Sequence, residues 1–599
     1  MKTDEKLKRL RKLMQERNLS AYIIPTDDFH SSEYVGSYFK AREYMSGFTG
    51  SAGTLVVLPD QAALWTDGRY FLQAAEQLKD SEIVLMRSGQ PEVPSIEKYL
   101  QDHLPKEAIV GFDGRTVNRK FVGSIQKKTD TKRITFDGRE DLVGKVWEDR
   151  PDLSKEPVWE LDVKYAGKSR TDKIQEVRIK MQEEKADYLL VTALDEIAWL
   201  FNLRGGDIAY TPVFLSYLLL TKEQITLFVH EEIFAEELRV KLLQEGVDIQ
   251  PYDAIEESVR NLPAGKKIWL DGSVVNYRLT ESIPESVEIL DQSSPVVLMK
   301  AVKTSTEMQN MRAAHVKDGV AVTRFIHWLK TKIGREVITE MGAAEKLETF
   351  RAQMDGYLGQ SFGPIIAYGP HGAIVHYAAT EQTNVEMKKE SFCLADTGGH
   401  YKEGTTDITR TIALGELTEE EKRDYTLVLR GNLALGAARF LEGVSGQNLD
   451  ILARQPLWDA GLDYNHGTGH GVGYILGVHE GPQRFHWRTA PGTKSVVLEE
   501  GMIISDEPGL YLEGRFGVRL ENLVLCRKAE KNEYGQFLYL EPLTMVPFDR
   551  EAILPQLMTE RELEWLNEYH RKVYAALAPE MEEEELVWLR EMTAELTSD

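Results

Sequence analysis

Cysteines and long apolar runs are scarce in this sequence, and its 72 basic residues are outnumbered by 96 acidic ones. Cys393 and Cys526 are its two cysteines. They exclude a disulfide framework and favour a reducing compartment, and their wide separation does not match the spacing of a cysteine zinc site. The 599 residues carry a formal net charge of -24. This acidic balance argues against nucleic acid as a partner, since nucleic acid is itself a polyanion.

We also expect neither a targeting segment nor a membrane-spanning one. The N-terminus, Met1–Glu5, carries charges of both signs, and no apolar segment typical of a signal peptide follows it. No apolar run reaches the roughly 18 residues that a membrane helix needs. We therefore expect a cytoplasmic protein without a membrane partner.

An internal repeat predicts the architecture of the first half of the chain. Residues 6–28 and residues 173–195 each contain a charged amphipathic helix pattern that reaches Met-Gln-Glu, then a polar turn and a short apolar strand. The match predicts a duplicated α/β domain, with Pro151–Pro157 as the linker after the first copy.

A different pattern begins after Lys303. Thr304–Glu307 and Thr418–Glu421 are capping-box sequences, which predict the starts of two helices. The stretch after Pro555 has a helical pattern, and we expect its apolar face to dock on the preceding domain. That face comprises Leu563, Trp565, Leu566 and Tyr569. The predicted domains are residues 1–157, 158–303 and 304–599.

Two aspartates stand at the ends of neighbouring strand-like runs. Asp396 ends the apolar run that starts at Phe392, and Asp407 opens the alternating run to Ile412. The pattern predicts a hairpin-like pair of strands with one carboxylate on each. Facing carboxylates repel each other unless a cation lies between them. Turn or capping roles for both residues are the alternative.

Histidines also cluster in this region, most densely in His466–Gly473. Glycine occupies every second position after His466, which disfavours a helix at about 1 kcal/mol per glycine. A strand or tight loop would still place His466 and His470 on one face. His479 follows closely, and three histidines in this setting favour a functional site over isolated structural roles.

Two further acids follow in strand contexts. Glu507 ends an apolar run just before a Pro-Gly turn. Arg519 and Glu521 are two residues apart, so we expect them to share a face of the next strand. A buried acid needs a partner. A salt bridge to Arg519 would provide one, and so would a metal.

Together these positions offer two aspartates, one histidine and two glutamates as ligands. Oxygen-dominated ligands with one imidazole favour Mn(II), Co(II) or Zn(II). Four carboxylates that are able to bridge suit two metals about 3.5–4 Å apart. Such a pair activates water and polarises a carbonyl group, so the set predicts a hydrolase.

The order and spacing of these residues resemble the pita-bread metallopeptidases, the clan that includes methionine aminopeptidase, prolidase and aminopeptidase P. The resemblance is closest to the three-domain cytosolic Xaa-Pro aminopeptidases and covers essentially the whole chain. It implies a mixed α/β and α+β fold, with two creatinase-like N-terminal α/β domains followed by a C-terminal pita-bread catalytic domain. The stretches that carry it are Phe48–Gly53, Trp65–Phe71, Ala193–Gly205 and His466–Gly473.

The resemblance also implies roles for individual residues. Asp407 and Glu521 match the positions that bridge the two metals. We expect Arg519 to contact the metal ligands and not the metals themselves. The implied metal ligands are Asp396, Asp407, His470, Glu507 and Glu521. The implied substrate-facing histidines, which we also expect to act in catalysis, are His376, His466 and His479.

The implied activity is release of the N-terminal residue from peptides with proline in second position. A hydroxide bridging the two metals would attack the carbonyl of the first residue. Glu507 would take up the water proton, and His479 would help to stabilise the oxyanion. The alternatives are an Xaa-Pro dipeptidase (prolidase), which would also bind the proline carboxylate, and a metal-free pita-bread binding protein.

Trp65–Phe71 is a polar-aromatic cluster far in sequence from the metal ligands. The resemblance implies a homodimer, in which we expect Arg69 to meet the peptide beyond proline, because a guanidinium binds carbonyl and carboxylate oxygens. The alternative is a packed hairpin held by an Asp67–Arg69 ion pair.

Overall fold

The computed structural model describes residues 1–488 and 495–598. The chain falls into two compact units, which are described separately. The first unit comprises Met1–Val163 and Lys168–Val297, and the second comprises Lys164–Gly167 and Leu298–Asp599. Among the described residues, no helix combines the length and the apolar character that a bilayer span requires.

The first half of the N-terminal unit is a six-stranded sheet with helices. Its strands are β1 (Ala21–Pro25), β2 (Thr54–Val57), β3 (Ala62–Thr66), β4 (Ile83–Arg87), β5 (Ile109–Phe112) and β6 (Thr135–Asp137). Its helices are α1 (Thr3–Glu16), α2 (Ala41–Ser46), α3 (Phe71–Leu78), α4 (Ile96–His103), α5 (Arg119–Thr129) and α6 (Leu142–Val146).

The second half of this unit contains another six-stranded sheet and a short strand pair. The strands are β7 (Trp159–Glu160), β8 (Tyr188–Val191), β9 (Leu203–Arg204), β10 (Ser216–Thr221), β11 (Ile225–Val229), β12 (Val247–Pro251), β13 (Lys267–Leu270) and β14 (Glu288–Asp291). Helices α7 (Val163–Ala166) and α13 (Pro295–Ala301) each include residues of both units. The helices within this half are α8 (Arg170–Glu183), α9 (Leu194–Phe201), α10 (Glu236–Gln244), α11 (Ile255–Arg260) and α12 (Tyr277–Ser282).

The two six-stranded sheets have the same topology. The first runs β4-β3-β2-β1-β5-β6 and the second β12-β11-β10-β8-β13-β14. In both sheets the strand after the repeated helix, β1 or β8, pairs antiparallel on one side and parallel on the other. The predicted duplication is confirmed. An isolated bridge joins Asn118 to Asn276, which are the N-cap residues of α5 and α12.

The second unit mixes long helices with small antiparallel sheets. Its helices are α14 (Ser305–Lys332), α15 (Glu340–Arg351), α16 (Glu419–Gly436), α17 (Gly446–Asp459), α18 (Glu560–Leu577) and α19 (Glu583–Met592). Its strands are β15 (Tyr357–Gln360), β16 (Ile365–Tyr368), β17 (Phe392–Thr397), β18 (Gly399–Tyr401), β19 (Gly404–Thr405), β20 (Ile408–Ala413), β21 (Arg439–Leu441), β22 (Gly469–His470), β23 (Arg484–Phe485), β24 (Ile503–Asp506), β25 (Gly509–Leu512), β26 (Phe516–Arg519), β27 (Asn522–Asn532) and β28 (Gly535–Pro542).

Several local predictions for this unit are confirmed. Thr304 and Thr418 are N-caps with reciprocal capping-box hydrogen bonds at the starts of α14 and α16. These bonds satisfy backbone N–H groups that would otherwise lack partners in the first helical turn. The predicted face of α18 packs against the core, with Leu563, Leu566 and Tyr569 buried and Trp565 partly buried.

Candidate active site

The two candidate aspartates lie on paired strands. β17 and β20 run antiparallel, with Asp396 opposite Thr409, which confirms the predicted pairing. Asp407 immediately precedes β20, and the short strands β18 and β19 fill the connection. Both carboxylates are buried, with Asp396 at 8% and Asp407 at 4% exposure.

The glycine-rich segment approaches β24 closely, and it is not helical, as predicted. A Cβ at Gly469 would lie 1.7 Å from the Ser505 carbonyl oxygen, so only glycine permits this approach. The His470 N–H donates to Ser505 Oγ at 2.9 Å, and the Glu507 N–H donates to the Thr468 carbonyl at 2.8 Å. These contacts place the imidazole of His470 beside the Glu507 carboxylate.

The orientation of the His470 ring suits a metal ligand. Its Nδ1 lies 3.0 Å from the Gly471 carbonyl oxygen, which only accepts, so Nδ1 carries the proton and Nε2 of the neutral ring presents a lone pair. Nε2 is 3.5 Å from Asp407 Oδ2 and 3.3 Å from Glu507 Oε1. Asp407, His470 and Glu521 each present a ligand atom within 4.8 Å of the others.

Glu521 reaches this cluster by a route that differs from the prediction. β26 ends at Arg519 and β27 begins at Asn522, so the expectation that Arg519 and Glu521 share a strand face is wrong. Between the two strands, the Glu521 N–H donates to the Thr409 carbonyl at 3.1 Å. Arg519 instead donates to Asp396 Oδ2 at 2.6 Å.

Two buried carboxylate oxygens in the cluster lack hydrogen-bond partners. Within the described ranges these are Asp396 Oδ1 and Glu521 Oε1. The other oxygen of each group is taken, by Arg519 for Asp396 and by Thr409 Oγ1, at 2.8 Å, for Glu521. Buried polar atoms normally have partners, and a cation would supply one for each of these oxygens.

The charge balance of the cluster leads to the same conclusion. Burial, followed by the charges of Glu521, Asp396 and Glu507, raises the pKa of Asp407 well above its ordinary value. Burial and the charge of Glu507 chiefly raise the pKa of Glu521 in the same direction. The acids disfavour one another's ionised forms, so the residues present fit divalent cations bound among them.

Arg519 links the acids to His466 through a residue that the sequence analysis missed. Its Nη1 donates to the Tyr511 hydroxyl at 2.8 Å, and that hydroxyl lies 2.8 Å from His466 Nε2. Burial raises the pKa of Tyr511 to about 12. Its place opposite Gly517 in the β25–β26 ladder follows from the register of two short strands, so no motif signals it.

The other two predicted histidines also lie in this unit. The His479 ring packs edge-on against His470, with centroids 4.2 Å apart. Arg519 Nη2 donates to the Val375 carbonyl at 3.2 Å and so anchors the backbone beside His376. Arg519 thus contacts Asp396 directly, the backbone next to His376, and Tyr511, which bonds to His466.

Arg69 lies in the N-terminal unit, where it forms the ion pair considered as its alternative role. Its guanidinium donates through Nε and Nη2 to both Asp67 oxygens, at 2.9 and 2.8 Å. The segment runs from β3 through a turn into α3, so the hairpin expectation is wrong; β3 pairs in parallel with β4, which requires a crossover. The same fork recurs in Asp113–Arg115 and Asp137–Arg139.

Four family profiles match consecutive parts of the chain. The creatinase/prolidase N-terminal domain matches residues 6–141 and again 149–307. Metallopeptidase family M24 matches 309–528, and the C-terminal region of that peptidase matches 536–596. The predicted fold class is confirmed. The boundaries at residues 157 and 303 remain predictions.

Relatives align with the chain almost end to end. A probable Xaa-Pro aminopeptidase P of Laccaria bicolor is 40% identical over 600 residues, which cover 98% of this chain and 93% of the relative. Xaa-Pro aminopeptidase 1 of Dictyostelium discoideum is 38% identical over 607 residues, covering 98% and 95%. The crystal structure of X-prolyl aminopeptidase from Caenorhabditis elegans, described as a cytosolic enzyme with a di-nuclear active site, matches with a TM-score of 0.94 and 34% identity over 100% of both chains.

Proposed function

The chain belongs to the Xaa-Pro aminopeptidases of metallopeptidase family M24, and we propose that it releases the N-terminal residue from peptides whose second residue is proline. The observation that carries the proposal is the convergence of Asp407, His470 and Glu521. It occurs in a chain whose full length aligns with Xaa-Pro aminopeptidases. The protein is therefore a metal-dependent hydrolase.

Two divalent cations fit the donor set. Asp407 and Glu521, the positions that the resemblance assigns to both metals, would help to hold them, and an oxygen-rich set with one imidazole favours Mn(II), with Co(II) or Zn(II) as alternatives. When bound, such metals supply an acidified water and polarise the scissile carbonyl. The proposed ligands are Asp396, Asp407, His470, Glu507 and Glu521.

The side chains of the site divide the remaining chemistry. Glu507 accepts the proton of the attacking water and passes it to the proline nitrogen as the peptide bond breaks. Ser505 Oγ donates to Glu507 Oε1 at 3.1 Å, which orients the carboxylate. His479, packed on His470, donates to the developing oxyanion. His376 and His466 bind substrate, with His466 oriented by its hydrogen bond to Tyr511.

Proline in second position sets the specificity. Its ring fixes φ, and its nitrogen carries no hydrogen in the peptide, so the site must accept a compact apolar ring without requiring an N–H donor. A prolidase would share these ligands and would additionally bind the free proline carboxylate. End-to-end alignment with aminopeptidases supports the longer substrate.

The remaining features are proposed on family membership. We propose a cytoplasmic homodimer in which Arg69 contacts peptide residues beyond proline. The Asp67–Arg69 fork is compatible with this role, because Arg69 retains 26% side-chain exposure. A light-scattering mass near 68.1 kDa, the mass of one chain, would contradict the dimer. An unchanged KM for Arg69→Ala on peptides longer than Xaa-Pro would contradict the substrate contact.

Metal removal and restoration test the proposed function. Chelated protein should not cleave an Xaa-Pro-Xaa tripeptide, and Mn(II), Co(II) or Zn(II) added in turn should restore cleavage, with Mn(II) most effective. The matched control is Asp407→Asn protein treated in the same way, which should stay inactive. Full activity of the chelated wild-type protein would overturn the metal dependence, whereas no metal uptake together with no cleavage would overturn the proposal and favour a binding protein.

A further inference from the structure

Three buried charged side chains form a compact cluster outside the ligand set. Lys303 Nζ lies 2.7 Å from Glu480 Oε1, and Lys300 Nζ lies 3.2 Å from Glu480 Oε2. Each of the three residues is only 3% exposed. Lys303 Nζ also donates to the Lys300 carbonyl at 2.8 Å. The Glu480 carboxylate thus forms ion pairs with two ammonium groups, and all three groups are largely shielded from water.

Because these charges are buried, each must stay close to its partner, which restricts their positions. An isolated buried charge is costly, and losing one partner of a buried pair is strongly destabilising. The Lys303 N–H also donates to the Gly501 carbonyl at 3.0 Å. Lys303 is therefore fixed at both its backbone and its ammonium group, and Glu480 has little freedom to move.

Glu480 in turn is hydrogen-bonded through its backbone to the glycine-rich segment His466–Gly473. Its N–H donates to the Gly471 carbonyl at 2.8 Å, directly after His470. A Cβ at Gly473 would lie 3.0 Å from Glu480 Oε2, so the carboxylate lies directly under the loop. Glu480 therefore holds the chain on both sides of the contact between His470 and His479.

We infer that Lys300 and Lys303 are positioning residues, which fix Glu480 and thereby hold His479 in place against His470. The inference rests on the proposed function, in which His479 donates to the oxyanion. A small displacement of such a donor costs rate, because stabilisation of the transition state depends on its placement. Both lysines contact Glu480, the residue next to His479, and their effect is inferred to pass through it.

A double-mutant cycle tests this coupling. Lys303→Met removes one of the two cations and leaves Glu480 paired with Lys300. We expect kcat to fall about tenfold or more, with KM and metal content nearly unchanged. In the His479→Ala background the same substitution should change kcat less than about twofold, because the group that it positions is already gone.

The matched control is another buried lysine–carboxylate pair of the same unit. Lys330 lies 2.7 Å from Asp549, and Asp549 accepts from the N–H of Ala413 at the far end of β20 from Asp407. Lys330→Met should lower the melting temperature without lowering kcat. A general loss of packing would instead slow both variants.

The outcomes separate this inference from the proposed function. If His479→Ala keeps wild-type kcat, the oxyanion role is wrong and the inference falls with it. If His479→Ala is slow while Lys303→Met is as fast as wild type, or if the two effects multiply fully, only the positioning inference is overturned. If Lys303→Met does not fold, Lys300→Met replaces it in the double-mutant cycle, with the same expected and contradicting results. This variant keeps the 2.7 Å ion pair between Lys303 and Glu480.

Discussion

Arg519 donates to Asp396 across 2.6 Å, and both side chains are buried. Removing the arginine takes away the ion-pair partner of that carboxylate and leaves it beside the neighbouring acids. We expect Arg519→Met to destabilise the apoprotein by about 3–5 kcal/mol, as for other broken buried pairs. Chemical unfolding measures the change, which should be smaller in metal-loaded protein.

Arg519→Lys is the matched variant for this prediction. It keeps the charge but cannot reproduce the forked contacts with Asp396 and Tyr511. It should retain most of the stability while still losing rate. Equal stability of wild-type and Arg519→Met protein without metal would show that the ion pair does not offset the cost of burying the Asp396 charge.

Glu507→Gln separates proton transfer from metal binding. The amide keeps an oxygen for weak coordination but cannot accept a proton, so we expect turnover to be abolished while metal is largely retained. Metal analysis and steady-state kinetics on the same sample measure both. Retention of about a tenth or more of wild-type kcat would show that another group is the base.

Alanine substitutions of His466, His470 and His479 should differ in their effects on metal content and on rate. His470→Ala should lose at least one metal, because its Nε2 faces Asp407 and Glu507. His466→Ala and His479→Ala should lose rate with metal content nearly unchanged. Parallel metal analysis of the three variants decides the matter, and equal metal loss in all three would refute the assignment.

Strand patterns made much of this site predictable. Asp396 ends an apolar run and Asp407 opens an alternating one, and the two strands pair as expected. Alternate glycines correctly excluded a helix around His470. The contacts of Tyr511 with His466, and of Lys300 and Lys303 with Glu480, were not predicted, because the partners are remote in sequence. The strand break before Asn522 was missed because Glu521 turns to Thr409 on another strand, a pairing that spacing cannot reveal.

The raised pKa of Glu521 predicts a pH-dependent stability of the apoprotein. Below about pH 4 both folded and unfolded states hold the proton. As pH rises towards the higher folded pKa, the unfolded state releases its proton first, so folded stability falls.

Glu521→Gln removes this penalty while keeping an acceptor for Thr409. With a chelator present, the variant should be the more stable protein near pH 8, and the difference should shrink towards about pH 5; a difference independent of pH would contradict this origin.

Product analysis with three peptides tests the central claim most directly. Metal-loaded protein is incubated with Ala-Pro-Ala, Ala-Pro and Ala-Ala-Ala, and released alanine and the remaining peptide are identified by mass spectrometry. An Xaa-Pro aminopeptidase should release alanine from Ala-Pro-Ala, leave Pro-Ala, and act weakly or not at all on the other two. Cleavage of Ala-Pro with no cleavage of Ala-Pro-Ala would identify a prolidase instead and contradict the account.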